Sequence, residues 1–394
     1  VPATELPRVL APPYDVIPPE YQEELYQRDP RNIVRVVLNR TPGDAGYREA
    51  GETYARWLAE GVLAPDPEPG LYLLEQEFEW EQRRHRRLGL LARFRALDPA
   101  ARVVLPHEHT RPVAREDRYR VLRATRANFS PVFLMFHDER GFTAQAVRLT
   151  AASPAASYVD DRGVSHRLWR VTAAADVSGF ALLMAGARAY IADGHHRYAT
   201  ALRLRDEVGP DGAWTLGYFT PMDAAGLLVL PYHRILSEGP TLAEARSRLS
   251  GHFEIAAVTG VGGAARVVAR SAAAHAFALV EPGGAGLVAE ARPEAFDLLP
   301  AVEPACLRAL DTFFLHRAVL PRLGVPEPAV SYVHSLAEAE QAVAQARCRL
   351  ALLLRGTPVR QIVDVAEAGE SMPAKSTFFH PKLPSGLVIH PLLV

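Results

Sequence analysis

Ile191-Ala-Asp-Gly-His-His-Arg-Tyr-Ala-Thr-Ala201 is the stretch on which the reading of this chain turns. An apolar run ends at Asp193, Gly194 supplies a turn, and helix-forming residues follow from His195. The pattern is a strand, a tight turn and a helix. The opening of such a helix presents backbone N–H groups without intrahelical partners, together with the positive end of the dipole, which suits an anion. Gly194 allows backbone to come close to a ligand. His195, His196 and Arg197 crowd cationic donors into the first turn, where they oppose the dipole and cost stability unless an anion neutralises them. The plainer alternative makes Asp193 an ordinary N-cap with solvated histidines. The like-charge crowding favours the anion site.

Working outward, residues 189–192 read as the strand and 195–208 as the helix. Helices are expected at 20–28, 48–61, 116–126 and 173–185. Strands are expected at 131–136 and 167–171, with a hairpin of 71–78 and 86–96 around the charged turn Glu81-Gln-Arg-Arg-His85. Asn32 to Leu38 (NIVRVVL) is expected to be a strand from its β-branched content. After Thr241 the pattern changes to a helix at 242–250, a hairpin across 276–290, a long helix at 306–323, a βαβ-like unit from 331 to 354, and a helix at 359–368 closed by Gly369. The fold class is mixed α+β. Residues 1–240 read as a mixed α/β domain carrying the Asp-Gly-His-His-Arg site. Residues 241–394 read as an α+β domain whose C-terminal stretch folds back to that site.

Composition narrows the classes. The 394 residues hold 44 basic and 45 acidic side chains, a formal net charge of -1, which argues against a coat for nucleic acid or an anionic membrane. Two cysteines, Cys306 and Cys348, exclude a disulfide framework and a multi-cysteine metal site. The chain has no bilayer-length apolar run and no signal pattern at its start, so it is expected to be cytoplasmic. Of the 44 basic residues only Lys375 and Lys382 are lysine, and both lie in Met372-Pro-Ala-Lys-Ser-Thr-Phe-Phe-His-Pro-Lys382. A lysine in an arginine-rich chain suggests a compact point charge on a phosphate. Lys382, between prolines, is expected to be only a solvated turn residue.

Three further stretches carry chemistry. Leu105-Pro-His-Glu-His-Thr110 sets two histidines around a carboxylate but is not HExxH, so the zinc-protease reading fails. The following Arg115-Glu-Asp-Arg-Tyr-Arg120 reads as a solvated helix face. Gly369 to Ser376 is GxxxxAKS, a near miss to the P-loop. It follows a helix, contains Pro373 and leaves only 18 residues for the rest of a sheet, so a P-loop NTPase is rejected. Lys375, Ser376 and Thr377 remain suitable donors for a phosphate-holding turn. Pro12-Pro-Tyr-Asp-Val16 holds Tyr14 and Asp15 between proline turns; a structural turn is favoured there. Neither a G-x-S-x-G elbow nor a G-x-G-x-x-G fingerprint occurs.

Taken together, APPYDVI near the start, NIVRVVLN, PHEHT, IADGHHRYATAL and MPAKSTFFHPKLPSGLVI resemble the bacterial and archaeal family catalogued as domain of unknown function 1015, in the expected order over essentially the whole chain. The DGHHR stretch is also similar to the phosphate-binding box of the ParB/sulfiredoxin superfamily, which includes partition proteins, sulfiredoxins and free-serine kinases. That resemblance implies a ParB/sulfiredoxin-like nucleotide-binding core with large additional α/β segments. It implies that Asp193, Gly194, His195, His196 and Arg197 hold nucleotide phosphates. Sulfiredoxin chemistry needs a reactive cysteine beside the box and is set aside. The expectation is an ATP- or ADP-dependent kinase of a small hydroxylated metabolite, with free L-serine the best single candidate and Mg²⁺ as the accompanying ion. Asp193 or Glu108 would accept the hydroxyl proton or hold Mg²⁺, Lys375 would neutralise the transferring phosphoryl, and Ser376 and Thr377 would add phosphate donors. Tyr14, Asp15 and His107 are expected at the acceptor substrate. The alternative is a non-catalytic nucleotide-binding regulator. Nucleic acid and membrane are not expected as partners.

Overall fold

The structure is a computed structural model and describes residues 2–392, the side chains of 210 and 211 apart. The chain is mixed α+β. It divides into two compact units: Val1–Pro106, Thr110–Leu228 and Pro381–Val394 form the first, and His107–His109 with Val229–His380 the second. The division falls after Leu228 rather than near 240, because the strand His233–Leu236 pairs on both sides within the second unit.

In the first unit, four helices come first: α1 (Leu6–Val9), α2 (Pro19–Arg28), α3 (Val34–Val37) and α4 (Asp44–Ala59). The expected strand at 32–38 is therefore helical in its centre. The Asn32 side chain accepts from Val34 N–H at 2.9 Å and donates to the carbonyls of Arg8 and Leu10. Its buried amide thus closes a local turn, and burial of Val34, Val36 and Val37 overrides their β propensity.

An eight-stranded sheet follows. It contains β1 (Leu71–Trp80), β2 (Arg83–Arg95), β3 (Val104–Leu105), β5 (Val132–Phe136), β6 (Ala156–Val159), β7 (Ser165–Val171), β8 (Ala189–Asp193) and β9 (Trp214–Pro221) in the order β3-β8-β5-β9-β2-β1-β7-β6; β4 (Ala127–Asn128) lies outside it. The β1–β2 turn is only Glu81-Gln82, both at positive φ, the twist that a two-residue hairpin needs. Helices α5 (Pro112–Thr125), α6 (Phe142–Leu149), α7 (Ala174–Met184) and α8 (His195–Val208) complete this unit. Leu134, Phe136, Ile191, Phe180 and Tyr198 share its main core. The end of the chain is stitched on: Ser385 exchanges backbone hydrogen bonds with Ala11, Gly386 N–H donates to Phe129 O, and His390–Pro391 pairs with β4.

The second unit has a two-stranded ladder of β10 (Leu228–Leu230) with β17 (Phe378–His380), and a six-stranded antiparallel sheet. The latter is built from β11 (His233–Leu236), β12 (Phe253–Thr259), β13 (Ala276–Val280), β14 (Ala285–Ala291), β15 (Val330–Val333) and β16 (Leu350–Leu353), in the order β12-β14-β13-β16-β11-β15. Its helices are α9 (Leu242–Leu249), α10 (Val261–Arg270), α11 (Ala305–Arg308), α12 (Asp311–Phe314), α13 (Leu320–Leu323), α14 (Leu336–Ala344) and α15 (Val359–Ala368). The long helix expected over 306–323 is a chain of short turns. Leu310 is extended between α11 and α12, and a π-helical segment, Leu315–Val319, precedes Pro321. Gly369 closes α15 at φ 74°.

Candidate functional site

Strand β8 ends at Asp193 and helix α8 opens at His195, with Gly194 between them at φ 95° and ψ 28°. A side chain here would be strained, and an added Cβ would stand 2.9 Å from Arg197 Cζ. Asp193 is not the N-cap: Gly194 is, and no side chain caps the helix. The Asp193 carboxylate instead accepts from Arg197 Nη2 at 2.5 Å and from Lys382 Nζ. The three side chains are 15 %, 14 % and 8 % exposed. Burial alone would raise this carboxyl, but Lys382 and Arg197 outweigh it and hold it well below the ordinary carboxylate range.

Lys382 is thus no solvated turn residue. Gln76 Nε2 donates to its carbonyl at 3.0 Å, and the fully buried Arg87 donates to Pro381 O at 2.5 Å and to Gln76 Oε1. Arg87 lies over the Phe133 ring at 4.6 Å, and Phe133 is the cross-strand partner of Asp193. A polar pair on β1 and β2 therefore grips the backbone that carries Lys382.

The helix opening has a second wall. Arg111 N–H, at the start of α5, donates to His196 Nε2 at 3.0 Å. Further along, Arg203 Nη1 donates to Glu116 at 2.6 Å and lies 3.6 Å over the Tyr119 ring, and Arg123 meets Glu207 at 3.6 Å. Sequence position rises together on both helices, so α5 and α8 are parallel neighbours opening at the same end. Neither has an acidic residue in its first turn or a capping side chain. Two positive dipole ends side by side, with the exposed Arg111 and Arg115, give this opening a positive potential that suits an anion.

His196 accepts through Nε2, so its ring is neutral with the proton on Nδ1. Burial, then the charge of Arg111, pushes its pKa down, against the opposing pull of Asp15. Tyr14 and Asp15 form a short helical turn here. The Arg118 guanidinium lies 3.9 Å over the Tyr14 ring, and burial followed by Asp15 pushes the phenol up to about 12. Tyr14 is therefore a protonated donor at neutral pH, and Arg118 is buried rather than part of a solvated face.

Of the residues named from sequence, Tyr14, Asp15, Asp193, Gly194, His195, His196 and Arg197 come together in the first unit. The other five lie in the second unit. His107 is buried, its Nε2 3.4 Å from Thr377 Oγ1, and its carbonyl accepts from Met372 N–H. Glu108 bridges to Met372. Ser376 is a builder of its turn: its hydroxyl donates to Pro373 O at 2.6 Å and meets Thr312 Oγ1 at 3.0 Å. Lys375 Nζ lies 3.4 Å from Tyr232 Oη and 4.9 Å over that ring. Sequence reading missed Lys382, Arg87, Gln76, Arg111 and Arg115. The only local signal was the absence of acidic residues from the first turns of both helices.

Among the described residues no cluster of three or more His, Cys, Asp or Glu is arranged to hold a metal ion, and no helix is long and apolar enough to cross a membrane. No curated protein matches the chain. Solved structures similar to it include a free serine kinase in complex with AMP, at 13% identity over 73% of this chain and 86% of that one, with a TM-score of 0.37. A C-terminally truncated SbnI from Staphylococcus aureus is similar at 11% identity, 77% and 87% coverage and a TM-score of 0.39. A conserved hypothetical protein from Pyrococcus furiosus is similar at 13% identity, 75% and 93% coverage and a TM-score of 0.37. The model of the family described as protein of unknown function (DUF1015) matches residues 1–313, and the chain belongs to that family.

Proposed function

We propose that the first unit seats the phosphates of ATP or ADP at the shared opening of α5 and α8, and that the protein is a kinase of a small hydroxylated metabolite, with free L-serine, giving O-phosphoserine, the first acceptor to test. The observation that carries this reading is the parallel pair of uncapped helix N-termini joined by Arg111 N–H and His196 Nε2. Catalysis of phosphoryl transfer rests on positioning and charge neutralisation, which such a site supplies. Gly194, His195, His196 and Arg197 bind phosphate in this reading, with Arg111 and Arg115 added to them. Asp193, held ionised by two cations, is a weak base; we assign it the anchoring of Lys382 and Arg197.

Mg²⁺ needs only one or two carboxylates besides the nucleotide phosphates. The exposed Asp15, near enough to His196 to act on its charge, fits that part, and Tyr14 beside it offers an O–H to the acceptor. When bound, the ion would neutralise charge between the phosphates. Glu108→Gln and Lys375→Arg test, in the same assay, whether proton acceptance and further charge neutralisation rest on those residues.

The test is turnover. Full-length protein is incubated with ATP or ADP, Mg²⁺ and a panel of amino acids and sugar alcohols, and the phosphorylated product is read by mass spectrometry. O-phosphoserine is the expected product. No phosphorylated acceptor, with nucleotide still bound, would replace the kinase by a nucleotide-binding regulator.

A further inference from the structure

The second unit buries a cation that, among the described residues, has no counter-charge. Arg234, on β11, has no exposed surface. Its Nη1 donates to Tyr232 O; its Nη2 reaches His316 Nε2 and Lys375 O, both at 3.4 Å; its Nε has no partner. The ring of Tyr332 lies 5.2 Å from the guanidinium. His316 must present an unprotonated Nε2 to receive that N–H, and burial, then Arg234, pushes its pKa down to about 4. Among the described residues no carboxylate pairs with Arg234, nor with Lys375, whose ammonium meets only the phenol and ring of Tyr232. Lys375 also adopts φ 60°, an uncommon conformation for a side-chain-bearing residue. Taking a guanidinium out of water without an anion is costly.

We propose that the second unit carries an oxyanion site of its own, in which the Lys375 ammonium contacts a phosphate or carboxylate group of a small metabolite and the buried Arg234 guanidinium supplies the positive field behind it. Arg234 also positions Lys375: the same guanidinium ties the carbonyls of Tyr232 and Lys375, and so fixes the two segments that bring ammonium and phenol together. The half-buried Lys375 is the reachable member, and Arg234 acts through it. This site does not depend on the kinase reading, because an anion would seat here without any transfer.

The experiment is calorimetric titration of inorganic phosphate, and separately of malonate, into the full-length protein and into Lys375→Gln, Arg234→Gln and the double variant Arg111→Gln/Arg115→Gln. The double variant removes the anion seat at α5 and α8, so what it still binds belongs to the second unit. In the background of that double variant, Lys375→Gln should weaken anion binding about ten- to a hundredfold, the loss of one charge-assisted contact. Arg234→Gln should weaken it at least as much. If Arg234→Gln does not fold, Lys375→Gln alone decides. The tighter of the two probes names the ligand class. Undiminished binding in Lys375→Gln, or no binding by the double variant, overturns the proposal, and either result leaves the turnover assay of the first unit untouched.

Discussion

Lys382 donates to the Asp193 carboxylate across 189 positions of sequence, inside a segment held by Gln76 and Arg87. The ion pair is nearly buried, so its partners depend on one another. Asp193→Asn should cost about 3 kcal/mol, because it leaves both Lys382 and Arg197 without their carboxylate, and Lys382→Met should cost less, because Arg197 still pairs with Asp193. The double variant should cost less than the sum of the two, because Lys382 is then no longer left behind without its carboxylate. Urea unfolding of the four proteins measures it; additive losses would mean that the two residues do not act as a pair.

Gly194→Ala should be destabilising by at least roughly 1–2 kcal/mol, since alanine is disfavoured at φ 95° and its methyl would press on Arg197. Arg197 would then leave Asp193. Nucleotide affinity should fall with stability, and a variant of unchanged stability and affinity would contradict the geometry described.

Stability should decline as the pH falls from about 7 to 5. Burial, then the charge of Arg234, pushes the pKa of His233 down to about 4, and its Nδ1 accepts from Leu354 N–H at 3.3 Å. Between that value and the unfolded value of about 6.5, the unfolded chain binds more protons, so each step toward acid favours unfolding. His316 and His390, also pushed down to about 4, act in the same direction. Asp193 contributes no slope in this window, because its depressed carboxyl titrates only further into acid. His233→Gln should remove roughly 1–2 kcal/mol of the change between pH 7 and 5, measured by urea unfolding at both values.

The strand, turn and helix of 189–208 were legible because every signal for them is local: an apolar run, a glycine and a helix-forming sequence. The same locality misled at 32–38, where β-branched residues suggested a strand. The buried amide of Asn32, satisfied by Arg8 and Leu10, decided for a helical turn instead. The continuous helix expected at 306–323 failed for a related reason: the apolar period survives the break at Leu310 because both short helices still face the core. Within the site, Asp193 was legible and its partner was not. Nothing around a lysine between two prolines reveals a carboxylate 189 residues away. Arg115 read as part of a solvated face, and exposed it is, while Arg111 drew no reading; their place at the opening follows from the parallel packing of α5 on α8, a relation no local pattern encodes.

Equilibrium binding of ATP, ADP, AMP and adenosine to the full-length protein and to Arg111→Gln/Arg115→Gln, at low and moderate salt, tests the phosphate seat at its source. Affinity should fall stepwise as phosphates are removed, added salt should weaken ATP more than adenosine, and the double variant should flatten the series by about tenfold or more at ATP. Equal affinity for ATP and adenosine, or an unchanged series in the double variant, would contradict a phosphate seat at the opening of α5 and α8.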